Sequence, residues 1–466
     1  MPARSLLLLL TLATLTTLAP AAMAFGAADP FATEALTPPR PLLFPTATSS
    51  PCQSPAPNAI YGVLEVVDRA LCHNPRTHEA WANARVQAAQ VGIAQAAFLP
   101  NLDGKVAGSR VRSAGQNANQ RNASLTLSWL LYDFGARSAD LETARQLLSA
   151  ASSTVDASVQ SVFQSALQAY YNTQAARAAV IAAVESEKAS RESLSAAQVR
   201  YQVGTGTPAD RLQAQTAWSQ ATLTRIRAEG VVKIAYGTLA NVMGMDANAQ
   251  LALADIPEVA PDASFESAAS DVDALISEAR QRRPDLKAAQ AQLAAARSNV
   301  DYARASGLPT LSLGAGPSWL SSDNISNNSN SIGLTLTLPI FSGFETTYRV
   351  RSAQATAEAV SAQRETLAQQ VALDVWSAYQ SLTTATQTIR TSTDLLASAE
   401  QSERVALGRY KAGVGSILDV LNAQSALASA RLQRIQALLD WHVSRAALAK
   451  AVGTLDSTLL NPAATP

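Results

Sequence analysis

The segment Ile332-Gly333-Leu334-Thr335-Leu336-Thr337-Leu338-Pro339-Ile340 alternates apolar with small or polar side chains, and 209 positions earlier Ala123-Ser124-Leu125-Thr126-Leu127-Ser128-Trp129-Leu130-Leu131 follows the same pattern. A period of two puts one apolar face on a strand. Just upstream, Leu311, Leu313, Ala315, Pro317 and Trp319 alternate with Ser312, Gly314, Gly316 and Ser318. Strands of about ten residues with a single apolar face have the length needed to cross a bilayer when tilted. The polar, Asn-rich stretches between paired strands, 113–121 and 321–331, read as exposed hairpin loops.

The same offset extends far beyond the strands. Positions 74–244 align with 283–453 without a gap: Pro75 falls on Pro284, Leu99-Pro100 on Leu308-Pro309, Tyr170 on Tyr379, Arg200-Tyr201 on Arg409-Tyr410, and Asp210 on Asp419. Each half is therefore one structural unit. The division that follows is a leader at 1–24, a Pro-rich N-terminal segment at 25–58 and a first repeat at 59–244. A connecting segment at 245–282, a second repeat at 283–453 and a tail at 454–466 complete the chain.

Within a repeat the order is helix, strand pair, very long helix, tight turn and helix. Helical stretches at 76–98 and 285–306 stop at the Leu-Pro pairs. No Gly or Pro interrupts 136–203 or 345–407, which permits helices of over 60 residues, roughly 90 to 100 Å each. In the first of them, Leu141, Ala144, Leu148, Ala151, Val155, Val159, Val162, Ala166 and Ala169 recur at three-and-four spacing, a narrow seam of small residues. Such a helix needs neighbours along its whole length. An aromatic content of only 5% agrees with close packing through small side chains.

Two hairpins give four strands with open edges, which lipid forbids. Two subunits would close eight strands into a filled barrel, whereas three give twelve and room for a lumen. The fold expected is mainly α with a membrane β-barrel: per subunit, four transmembrane strands plus long antiparallel helices, closing as a homotrimer into a 12-stranded β-barrel and a periplasmic α-barrel.

At the far end of each long helix stands a matching turn, Arg200-Tyr201-Gln202-Val203-Gly204-Thr205-Gly206-Thr207 and Arg409-Tyr410-Lys411-Ala412-Gly413-Val414-Gly415-Ser416. Gly204 and Gly413 suit left-handed caps, Thr207 and Ser416 suit N-caps, and Pro208 suits the first helical position. Asp210 and Asp419, three residues past those N-caps, fit a capping box. Around a three-fold axis they could also present a cation-selective carboxylate ring at the mouth of a duct.

Arg4, an apolar run over 6–18 and the Ala22-Met23-Ala24 site read as a secretory signal cleaved between Ala24 and Phe25. No later stretch approaches 18 uncharged apolar residues, so any membrane crossing is made by strands. The 36 basic and 36 acidic residues balance, and loss of Arg4 leaves the mature chain one charge negative, which implies no field for nucleic acid. Of the two cysteines, Cys52 and Cys72, an oxidising periplasm favours a disulfide, the alternative being two buried thiols.

These residues resemble the TolC family of bacterial outer-membrane efflux and type I secretion channels. The resemblance is carried by Leu99-Pro100, the Trp129-Leu130-Leu131-Tyr132-Asp133-Phe134-Gly135 run, Leu338-Pro339-Ile340-Phe341-Ser342-Gly343, and Arg409-Tyr410 through Gly413 to Asp419-Val420-Leu421. It implies a trimer in the Gram-negative outer membrane that reaches into the periplasm, where an adaptor and an inner-membrane ABC transporter or proton-driven pump engage its tip. It further implies a periplasmic gate at Asp419, Asn422 and Tyr410, with Asp210 and Gln213 at the matching positions of the first repeat. Asn422 replaces a second gate aspartate and Gly415 a gate arginine, so the charge ring is thinner. The adaptor-docking tip falls on Arg200, Gly204, Thr205, Gly206, Arg409, Gly413, Val414 and Gly415. The early cysteine pair and Cys72-His73-Asn74-Pro75 are most similar to the cyclolysin-exporter branch, which makes type I protein secretion the expected function. The alternative is the outer-membrane component of a multidrug or metal efflux pump, and a more remote one is a periplasmic coiled-coil adaptor.

Enzyme chemistry is not expected. His73, His78 and His442 form no triad or metal spacing, and no phosphate-binding or nucleophile-elbow motif occurs. No cofactor is implied.

Overall fold

A computed structural model describes residues 29–38, 60–113, 116–254, 271–322 and 325–455. The expected cleavage site at Ala24 and Phe25, Cys52, and most of the Pro-rich segment and C-terminal tail lie outside the described residues.

After a 3-10 turn at Thr33–Leu36 come β1 (Ile60–Tyr61), α1 (Val63–His73), α2 (Pro75–Ala96), β2 (Asn101–Ser113), β3 (Gln116–Tyr132), α3 (Ala136–Gln202) and α4 (Pro208–Val242). Then follow β4 (Ala252–Leu253), α5 (Val272–Arg282), α6 (Pro284–Ala305), β5 (Thr310–Ser322), β6 (Ile325–Thr337), α7 (Glu345–Lys411) and α8 (Ile417–Val452). The 209-residue offset maps α2 onto α6, β2 onto β5 and α3 onto α7 at both ends. It also maps α1 onto α5, so the duplication reaches 11 residues further back than sequence identity shows. Val63–His73 and Val272–Arg282 keep length and phase while sharing few residue types.

Two compact units emerge. The first draws on Met1–Pro38, Asn83–Ser149 and Ala294–Ala357 and contains a four-stranded antiparallel sheet ordered β2-β3-β5-β6. The row Leu102, Leu127, Ala315 and Ile332 crosses all four strands on one face, and Trp129, Leu313 and Leu334 form the next. This apolar face is bare: Ile332 is 79% and Leu334 66% exposed. A lipid surface is the solvent that such a face suits. Among the described residues no helix is long and apolar enough to cross a membrane.

The strands run to 13 and 17 residues, longer than the ten expected. The Asn-rich stretches 113–121 and 321–331 are mostly strand and not loops: pairing continues to Ser113↔Gln116 and Ser322↔Ile325. Ladder hydrogen bonds hold them although both faces have become polar. At the other end, β6 stops at Thr337, short of Ile340. Pro339 has no N–H for a ladder.

Pro317 does lie inside β5, a central strand. The β3–β5 register pairs Ser124 with Ser318 and Leu127 with Ala315 and leaves Leu125-Thr126 and Gly316-Pro317 between them unmatched. The missing Pro317 donor falls in that gap, and Gly316 lets the β3 backbone approach so closely that a Cβ would overlap the Leu125 carbonyl oxygen.

Each strand pair joins its long helix through a left-handed elbow, Phe134-Gly135 (φ 53° and 97°) in one repeat and Gly343-Phe344 (φ 61° and 64°) in the other. Asp133 secures the first elbow by accepting from the Gly135 and Arg137 backbone at 3.2 and 2.9 Å and from Arg137 Nε at 2.9 Å.

The second unit draws on Pro39–Ala82, Ala150–Leu293 and Glu358–Pro466. One core gathers Val66, Val67, Phe163, Leu167, Leu239 and Met243; another gathers Ala279, Val371, Val375, Ile389 and Trp441. The expected seam of α3 is on the buried side, with Val155, Val162, Ala166 and Ala169 buried, and Phe163 and Tyr170 broaden it. β1 pairs parallel with β4, tying the start of the first repeat to the connecting segment. Cys72 is disulfide-bonded. His73 Nδ1 and His78 Nε2 meet the carbonyls of Arg69 and Cys72 at 3.3 and 2.8 Å, so both rings are occupied by backbone.

Candidate functional site

The two helical turns of the second unit are built alike. α3 and α7 end at glycines in the left-handed region, Gly204 (φ +79°) and Gly413 (φ +81°). The chain then folds back so that Thr205 N and Gly206 N donate to the Arg200 carbonyl at 2.9 and 3.0 Å, and Val414 N donates to the Arg409 carbonyl at 3.0 Å. These bonds satisfy carbonyls a helix end leaves free. A Cβ at Gly206 or Gly415 would come within 3.1 or 3.0 Å of the Cβ of Arg200 or Arg409, a tighter approach than side chains ordinarily make, so glycine suits both turns.

The return helices start with reciprocal caps. Asp210 N donates to Thr207 Oγ1 at 3.1 Å while Thr207 N donates to Asp210 Oδ2 at 3.0 Å, and Ser416 N donates to Asp419 Oδ2 at 3.3 Å. Both boxes are complete. Each N-cap is worth about 1 kcal/mol. The helix N-terminus thus explains the residue type at Asp210 and Asp419, and it leaves each carboxylate a further oxygen.

The four helix ends meet around Tyr410. This side chain is 5% exposed, in a small core with Leu194, Ala197, Ala214, Ile417 and Val420. The Arg200 guanidinium covers its ring at 4.4 Å from the centroid, a contact worth about 1 to 2 kcal/mol when partly desolvated. Deeper along the helices, buried Ser193 and Gln424 share a hydrogen bond of 3.1 Å. Nothing in the sequence alone pairs Arg200 with Tyr410 or Ser193 with Gln424, since each contact joins one repeat to the other across more than 200 residues.

Asp419 and Asn422 are exposed and line one cleft between α7 and α8 together with Ser402, Val405 and Arg409. Asp210 is half-buried and Gln213 exposed on the equivalent face of α4. Tyr410 does not join the Asp419 rim; it sits in the core under Arg200. At the turns themselves Gly204, Thr205, Gly413 and Val414 are exposed, Val414 at 69%.

His442 lies elsewhere, stacked parallel on Tyr171 with centroids 4.2 Å apart and edge-on to Trp441 at 4.9 Å. Burial first, and then the positive charge of Arg445, push its pKa down to about 4. It is a packing residue.

Comparison with known proteins agrees with this architecture. The family described as Outer membrane efflux protein matches twice, over residues 66–245 and 275–454. The two matches are themselves 209 residues apart. Protein CyaE of Bordetella pertussis is 34% identical over 425 residues, covering 89% of each chain. Outer membrane protein TolC of Vibrio cholerae is 26% identical over 404 residues, 84% of this chain and 91% of that one. Among solved structures, the CmeC outer membrane channel of Campylobacter jejuni superposes with a TM-score of 0.75 at 21% identity, over 84% of this chain and 86% of its own.

Proposed function

The chain belongs to the outer membrane efflux protein family and is an outer-membrane channel subunit of a tripartite export system; on that premise we propose that three copies form the duct of a type I protein secretion system. Members of the family are channels and not enzymes. The single observation that carries the duct reading is the duplicated unit itself, with an apolar-faced sheet segment and unbroken 67-residue helices in each repeat set. Sheet order leaves β2 and β6 as edges, and three copies joined β6 to β2 make a closed barrel of twelve strands. The type I assignment is supported by the greater identity to CyaE than to TolC and by the segment Cys72-His73-Asn74-Pro75. In this reading a periplasmic adaptor seats on the turns around Thr205 and Val414, an inner-membrane ABC transporter supplies the energy, and cargo moves passively through the duct.

Isolation of the native complex tests the assignment. Copurification with an adaptor and an ATP-hydrolysing transporter is expected, and recovery with a proton-driven pump instead would replace it with drug or metal efflux. Recovery of the protein in the soluble periplasm would overturn the channel itself.

Asp419, with Asn422 beside it, is proposed as the charged ring of the periplasmic gate. Its support is exposure and position next to Arg409 in one cleft. Asp419→Ala is expected to lower cation over anion selectivity severalfold in planar bilayers and to weaken block by divalent cations. Unchanged selectivity would leave Asp419 only its place in the helix cap.

A further inference from the structure

The contact between the two repeats near the turns works as plug and socket. Ser193, Ala197 and Arg200 of the first repeat form the socket, and Tyr410, Leu421 and Gln424 of the second form the plug, joined by the Arg200–Tyr410 stack and the Ser193–Gln424 hydrogen bond. Shifting each residue by 209 positions gives Ser402, Ala406 and Arg409 for the socket and Tyr201, Leu212 and Gln215 for the plug. All six residue types are conserved between the repeats.

Among the described residues the second set is not joined plug to socket as the first set is. Ser402, Ala406 and Arg409 line the open cleft between α7 and α8, where Ser402 and Arg409 are exposed while Ser193 is 4% exposed in the filled counterpart. On the first repeat, Tyr201 is 41% and Leu212 57% exposed, whereas Tyr410 is buried. The contacts these side chains do make stay within their own helix hairpin: Arg211 lies over the Tyr201 ring at 5.3 Å, and Gln215 Nε2 donates to Ser219 Oγ one turn on at 3.5 Å. A chain that keeps a complete plug and a complete socket, each matching the pair it already uses internally, has the makings of a head-to-tail contact, and a head-to-tail contact repeated closes into a ring.

We infer that the open socket of one subunit receives the plug of the next: Arg409 stacks on the Tyr201 ring of the neighbouring copy and Ser402 bonds its Gln215, repeating between chains the contact made within one. The inference rests on the trimeric reading above. It assigns the side chains that hold neighbouring subunits together at the helical end, and it makes the ring of helix turns a sixfold repetition of one contact used alternately within and between chains.

Cross-linking of the full-length protein in detergent tests it. Ser402→Cys combined with Gln215→Cys and treated with a short bismaleimide is expected to give covalent dimers and trimers on denaturing gels. Ser193→Cys with Gln424→Cys, treated alike, is expected to remain at monomer mass because its bridge lies within one chain. Sedimentation of the same samples separates two failures. A trimeric particle whose Ser402→Cys and Gln215→Cys thiols react with a monofunctional maleimide yet form no cross-chain product overturns the plug and socket. A particle of one chain overturns the trimeric reading. Should the double variant fail to assemble, Arg409→Ala is the second measurement: the trimer should dissociate at lower temperature than wild type, while Arg404→Ala, at an exposed position outside the socket, should not change it. Equal dissociation temperatures for Arg409→Ala and wild type would overturn the inference.

Discussion

Gly316→Ala is expected to remove most of the assembled barrel from the outer membrane, while Gly314→Ala, two residues away on the same strand, leaves it intact. A Cβ at position 316 points into the Leu125 carbonyl, with Thr126 Cα also close, so the atoms that must yield are backbone and not the end of a flexible side chain. Overpacking in a fitted site costs about 1 to 3 kcal/mol, and backbone resistance puts this case at or above the upper figure. At Gly314 nothing lies within 4 Å of the added carbon. The comparison therefore separates close strand approach from a general intolerance of β-sheet substitution. Heat-modifiable trimer recovered from outer membranes is the measurement, and equal yields from the two variants would refute the explanation.

Acidification should loosen the second unit through His442. Its folded pKa of about 4 lies below the ordinary value of 6.5, so the unfolded chain takes up the proton first. The stability tied to the neutral ring is fully present above about pH 6.5, declines as pH falls toward 4, and is flat below. A displacement of that size corresponds to at most about 3 kcal/mol. His442→Phe keeps an aromatic ring against Tyr171 and removes the titration. Thermal melting at pH 7 and pH 4.5 should show a larger drop for wild type than for His442→Phe. The comparison is internal, because the carboxylates titrate in both proteins. Parallel drops would show that the ring is already protonated, or free to leave its stack.

How far the sequence discloses this fold depends on what each residue type can do without a partner. The absence of Gly and Pro from 136–203 is legible as one helix because those two residues are the local breakers, and the helix observed ends at Gln202. The caps at Thr207 and Ser416 are equally legible, since their hydrogen bonds span three residues. Alternation located the strands but not their ends. Asn117 and Asn119 fall in a stretch with the composition of a loop, yet they belong to β3, where the backbone ladder to β2 continues through them. Leu338 and Ile340 continue the pattern past the point where Pro339 ends the pairing. In α5, length and helical phase survived duplication while residue identities did not, so its kinship with α1 became visible only as structure. Of the candidate gate residues, Asp419 could be assigned its helix cap from the turn sequence alone. The burial of Tyr410 could not, because the guanidinium that covers it comes from the other repeat.

A stiff rod of 67 residues is about 100 Å long, so a tilt of only about 6° about its strand end sweeps its turn end through about 10 Å. That travel is as large as the spacing of packed helices. A ring of such helix ends, joined neighbour to neighbour, can change width by many ångströms without unwinding a turn of helix.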